Sequence, residues 1–203
     1  MKKRFGFFVF SAIAFVLSWV SCLASPFGLN RGMSKSTVIA LVGAPAILRS
    51  EGDILTLKTV PQPHAAFDEY LLVFSPSEGL LKVVAVGKDI RTSGDGSEVR
   101  SAYSELKDAL ETGYGNPKDS FDFLKSGSIW KDSSDFMMGL LKDERLLVTY
   151  WNFEKGARSD RLSTIKIEAK ATRSSIGFIT VGYEFEGLEA YIDSKNAKQN
   201  SVL

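Results

Sequence analysis

Leu162-Ser163-Thr164-Ile165-Lys166-Ile167-Glu168-Ala169-Lys170-Ala171 is the stretch on which the fold turns. From Ile165 onward, Ile167, Ala169 and Ala171 alternate with Lys166, Glu168 and Lys170, and a period of two places the apolar groups on one side of a strand and the charges on the other. A strand buried on one face and wetted on the other belongs to an antiparallel sheet covered on one side; a parallel sheet clothed by helices on both faces would need an unbroken apolar run. The next run, Ile176 to Phe185, repeats the alternation, with Ile179, Val181, Tyr183 and Phe185 in phase and Phe178 out of phase. Leu146 to Phe153 precedes them. There Leu147, Thr149, Trp151 and Phe153 share one side and Leu146, Val148 and Tyr150 the other, so apolar groups lie on both.

Upstream, Ile54 to Val60, Glu69 to Phe74 and Leu80 to Val86 read as three more strands, the last two joined by the turn residues Ser75-Pro76-Ser77-Glu78-Gly79. Their connections are too short for crossover helices, which makes an antiparallel meander. Four helices are expected. One starts at the cap Ser34 with Val38, Leu41 and Val42 on one face, and stops at Gly43-Ala44-Pro45. A longer one is capped by Ser97 and carries Val99, Tyr103, Leu106, Leu110 and Tyr114 on one stripe until Gly115-Asn116-Pro117. A short helix covers Ser134 to Leu141, and a single terminal turn holds Leu188, Tyr191 and Ile192. The fold class is therefore α+β: antiparallel sheet or sheets with helices on one face, as a tandem repeat of helix plus three-stranded meander, residues 25–117 and 118–203.

The chain opens with Lys2, Lys3 and Arg4, followed by sixteen uncharged residues from Phe5 to Val20, the pattern of a secretion signal over residues 1–24. A spanning helix needs roughly 20 apolar residues, and Ser18, Ser21 and Ser25-Pro26 interrupt this one where cleavage would fall. Two processing routes stay open: ordinary cleavage after Ala24, or a lipoprotein signal of residues 1–21 with lipidation of Cys22, because Trp19-Val20-Ser21-Cys22 loosely resembles a lipobox and Cys22 is the only cysteine. The localisation expected is export, to the periplasm or an outer-membrane-associated position with secretion as a further alternative, and membrane contact only through such an anchor or an uncleaved signal.

Of 203 residues, 25 are basic and 24 acidic; without the three basic residues of the leader, 22 basic face 24 acidic residues. No Lys/Arg cluster is dense enough for nucleic-acid binding. With no disulfide available, stability must come from an apolar core, to which fourteen Phe, six Tyr and three Trp contribute. His64, the only histidine, sits in the loop Pro61-Gln62-Pro63-His64 and reads as solvated. No His/Cys/Asp group has metal spacing and no glycine-rich loop forms a phosphate cradle, so no catalytic residue, metal ligand or cofactor is assigned.

Pro26-Phe27-Gly28-Leu29-Asn30-Arg31-Gly32-Met33-Ser34, followed by Val38 and Gly43-Ala44-Pro45, resembles the opening of the SmpA/OmlA (BamE-like) envelope protein family, and it looks like that of uncharacterised exported bacterial proteins. The resemblance implies an envelope-assembly role and a tandem fold similar to beta-lactamase inhibitor protein, with two helix-plus-sheet units merged into one concave sheet. Gly32, Met33, Ser34, Val38, Gly43 and Pro45 are then motif residues with structural work: a tight entry, a cap, a staple and a stop. The reading of function is a non-enzymatic envelope protein that binds a protein partner through a sheet face, for which Phe178, Trp130 and Tyr150 are the candidate contacts. An envelope hydrolase using an Asp/Glu pair and a purely structural lipoprotein are the alternatives. N-terminal mass analysis of the envelope-fraction protein is expected to find the chain beginning at Cys22 or Ser25. Cys22→Ser separates the two, since it changes processing only if the thiol is acylated.

Overall fold

The computed structural model describes residues 25–200; Cys22 and the leader lie outside them. The alternation read in the sequence becomes burial on β9 (Ile176–Phe185), where half-buried and buried residues follow each other without a break. In chain order the elements are α1 (Lys35–Val42), β1 (Ile47–Glu51), β2 (Ile54–Leu57), β3 (Phe67–Ser75), β4 (Gly79–Gly87), β5 (Ile90–Arg91), α2 (Ser97–Tyr114), β6 (Asp119–Leu124), α3 (Phe136–Leu141), β7 (Arg145–Asn152), β8 (Leu162–Arg173), β9 and α4 (Leu188–Asn200).

All the strands join one antiparallel sheet in the order β1-β2-β3-β4-β9-β8-β7-β6, with β5 paired to the start of β9. The order reads outward from the middle in both directions, so each half is a meander and the last strands of the two halves meet at the centre. Among the described residues, and setting aside the two-residue β5, each half has four strands rather than three: β1 and β6 are additional, and both lie at the edges. A division at residue 117 would part α2 from the strands it covers, because α2 packs on β8 and β9.

One core fills the covered face. Val38 from α1, Val99, Tyr103 and Leu110 from α2, and Phe136, Met137 and Leu140 from α3 bury against Leu72, Val83, Val181 and Ile165 of the sheet. The helices sit on this face because their apolar stripes match it; burial of each large side chain contributes about 1.5–3 kcal/mol. A buried polar chain crosses the same core: the Tyr103 hydroxyl meets Thr149 Oγ1 at 2.7 Å, and Ser120 Oγ meets that same atom at 2.8 Å, so α2, β7 and β6 are tied together. Burial pushes the Tyr103 hydroxyl up to about 12, against the opposing pull of the Thr149 hydrogen bond.

Ser34 caps α1 as expected, its Oγ accepting from the Thr37 amide at 3.1 Å. Leu41 does not share the buried face: it is 55% exposed. At 100° per residue, the buried arc runs from Val38 through Val42 to Ile39, and Leu41 falls outside it. Nor does Ser97 cap α2; Gly96, at φ 69, holds that position and Ser97 is the first helical residue. The C-terminal element is a full helix rather than one turn. Tyr191 donates to Asp53 Oδ2, and Lys195 Nζ reaches that oxygen at 2.9 Å, so α4 is latched to the β1–β2 turn.

The opening motif docks on β4. The Gly32 amide donates to the Leu80 carbonyl at 3.0 Å and the Leu80 amide to the Met33 carbonyl at 2.9 Å. Gly79, at φ +72, lies against this segment so closely that a Cβ there would fall on the Gly32 carbonyl and 2.8 Å from the Met33 oxygen. Gly43 adopts φ 80, ψ 154, but its Cβ would meet only Pro45 Cδ at 3.7 Å. Gly43→Ala should therefore cost the backbone strain alone, about 1–3 kcal/mol, whereas Gly79→Ala adds a backbone collision and should cost at least about 3 kcal/mol. Denaturant unfolding of the two variants checks both the size and the ranking.

Candidate functional site

With α1, α2 and α3 on one side, the other face of the sheet carries the out-of-phase residues. Its central row follows from the register: Leu71 opposite Val84, Val84 opposite Gly182, Gly182 opposite Lys166, Lys166 opposite Tyr150. These residues, with Val73 and Val86, are half-buried. They pack against one another across strands rather than under a helix. Gly182 has no side chain in the middle of this row, and a Cβ placed there would touch only Val84 Cγ2 at 3.9 Å, so the face has a notch at its centre. At one end the notch gives way to a cleft bounded by Thr164 and Glu184 on the sheet and Ala190, Ile192 and Asp193 on α4.

Toward β6 the face becomes aromatic. Tyr150 lies edge-on to Phe121 with ring centroids 6.4 Å apart, Phe121 edge-on to Phe123 at 6.3 Å, and Lys166 Nζ stands 5.8 Å from the Tyr150 ring centre. Phe121 and Phe123 are 42% and 46% exposed, which for two adjacent rings is unusual on a sheet that has a core to bury them.

Two carboxylates and three lysines at the middle of this face are paired. Glu168 takes Lys166 at 2.6 Å and Lys170 at 2.8 Å, and Glu184 takes Lys82 at 2.6 Å across the central strand pair. Burial would raise the Glu168 carboxyl, but hydrogen bonds and charge from the two lysines outweigh it and hold the carboxyl below its ordinary range. A carboxylate held ionised by two ammonium groups is a poor proton donor near neutral pH.

Of the three candidate contacts, Tyr150 and Phe178 both lie on this face. Phe178 is half-buried, stands opposite Lys170 in the register, and borders a shallow depression with Asp68 and Val86. Trp130 is apart from them, half-buried in the loop between β6 and α3, its amide bonded to Ser128 Oγ. Phe121, Phe123 and Gly182 were not singled out in the sequence; the Phe-Asp-Phe alternation was the available signal for the first two. Gly32, Met33, Ser34, Val38, Gly43 and Pro45 all lie in the docking segment, α1 or its stop. His64 is exposed, and its Nδ1 accepts from the Ala66 amide at 3.2 Å, closing its own loop.

Among the described residues there is no group of His, Cys, Asp or Glu that could hold a metal ion, and no helix long and apolar enough to cross a membrane. No family model, curated protein or solved structure matches the chain.

The Glu168 cluster sets a pH dependence. A carboxyl with a lowered folded value contributes stability that is complete above its unfolded value and is lost as pH falls through the folded one. Below pH 4.5, the ordinary value, the wild-type chain should lose stability more steeply than Glu168→Gln, as read from urea unfolding at a series of acid pH values.

Proposed function

We propose that this chain is a non-enzymatic exported envelope protein that binds another protein through the uncovered face of its sheet. The observation that carries the reading is the row Leu71, Val84, Gly182, Lys166 and Tyr150. It is a half-buried, largely apolar strip with a notch at its centre and aromatic rings at its β7 end, and Phe178 stands on the same face four residues along β9 from the notch. A face of this kind offers a partner both contact area and rigid aromatic anchors. Its central carboxylates, Glu168 and Glu184, are neutralised by lysines, which favours docking over acid–base chemistry there. The basic and apolar leader supports export, and the Gly-Met-Ser opening with Gly43-Ala44-Pro45 supports an assembly role like that of the SmpA/OmlA proteins.

Gly182→Trp tests the face without touching the core. The position is in extended backbone with open space over it, so the variant should melt within about 1 kcal/mol of wild type by denaturant unfolding. Crosslinking and affinity capture from the envelope should recover a stoichiometric partner with the wild-type chain and lose it with Gly182→Trp. Equal capture by both would remove this face from the interaction.

A further inference from the structure

The sheet has two edges, and they are built differently. β1 carries a register shift between Ile47 and Arg49, with Arg49 and Glu51 exposed along it, features that discourage another strand from pairing there. β6 pairs with β7 in unbroken register from Asp119 to Leu124, contains no proline, and is exposed along nearly all its length. It is also held firmly, by Ser120 on Thr149 and by Asp122, which takes Arg145 at 2.8 Å and Arg100 at 3.4 Å.

The direction of its free backbone groups follows from one bond. The Lys125 amide donates to the Glu144 carbonyl at 2.7 Å, and antiparallel hydrogen-bonded pairs recur every second residue. The amides and carbonyls of Phe121 and Phe123 therefore face β7, while those of Ser120, Asp122 and Leu124 face outward, where no strand pairs with them among the described residues.

We propose that β6 is a self-pairing edge: two copies of this chain join their β6 strands antiparallel about a twofold axis at Asp122, which continues the sheet from one protomer into its partner. The proposal stands independently of what binds the open face. In this register the outward groups of Ser120 meet those of the partner's Leu124, and the Asp122 residues bond each other across the axis. Phe121 then opposes the partner's Phe123 at the closer, non-hydrogen-bonded spacing, so four rings stack into one cluster over the seam. Asp119 opposes the partner's Lys125, twice by symmetry. A shift by two residues either way leaves one facing ring pair where there were two and removes the charge pairing altogether. The two Asp122 carboxylates approach each other, but each already sits with two guanidiniums held over the Phe136 ring at 4.7 and 4.9 Å, so the repulsion is compensated within each protomer.

Sedimentation velocity of the purified chain is the test, together with a charge-reversal cycle at two exposed positions that play no part in the core. Wild type should sediment at twice the chain mass by about 100 µM. Asp119→Lys and Lys125→Asp should each weaken dimerisation about tenfold, since each turns two facing opposite-charge pairs into like-charge pairs. The double variant Asp119→Lys/Lys125→Asp restores opposite charges in the same register and should return the dissociation constant to near the wild-type value. A monomer throughout that concentration range overturns the proposal. So does a dimer indifferent to the single reversals, or a double variant no tighter than the singles.

Discussion

The pairing of β4 with β9 makes this one structure instead of two. Each half folds back on itself locally, through β1 to β4 and through β6 to β9, and neither meander closes into a barrel. The junction is made by Lys82 to Val86 against Thr180 to Glu184, with Val83 and Ala85 facing Tyr183 and Val181 into the core and Lys82 bridging Glu184 on the open side. Without that ladder each half would present a long apolar edge, and the core that α1, α2 and α3 share would divide into parts too small to be stable alone.

The covered face was readable from the sequence wherever a strand was buried on one side. β8 and β9 have strict alternation, and α2 has a stripe at helical spacing, because in those elements one side faces a core and the composition records it. β1 and β6 escaped for the same reason in reverse. Their burial is nearly absent, so Ile47-Leu48-Arg49-Ser50-Glu51 and Asp119-Ser120-Phe121-Asp122-Phe123-Leu124 carry little imprint of a buried side. What defines them is pairing with a neighbour, which no local pattern encodes. α4 went the same way: its length depends on Tyr191 and Lys195 finding Asp53 far away in the chain.

The candidate site was half legible. Phe178 was set apart from its core neighbours by phase alone, whereas for Tyr150 counting gave only its opposition to Trp151, since both sides of that strand are apolar. Gly182 became meaningful only when strand order set Val84 on one side of it and Lys166 on the other, and Phe121 and Phe123 only when β6 existed to carry them. Parity tells which way a side chain points along its own strand; what stands beside it depends on register, and register here is fixed by residues up to a hundred positions apart in the chain.

Because β9 comes last in chain order among the described strands and sits at the centre of the sheet, the order of synthesis runs against the order of space. A chain made from its N-terminus completes β1 to β4 and then β6 to β8 while the seat between β4 and β8 stands empty, with two strand edges bare on either side of it. The core becomes continuous only on arrival of β9, and its contacts with β4 span almost half the chain, the kind of non-local closure that slows folding. Cooperative folding of the whole molecule is thus a late event, and for as long as it is pending the nascent protein is a pair of open half-sheets that must be kept from one another and from their neighbours.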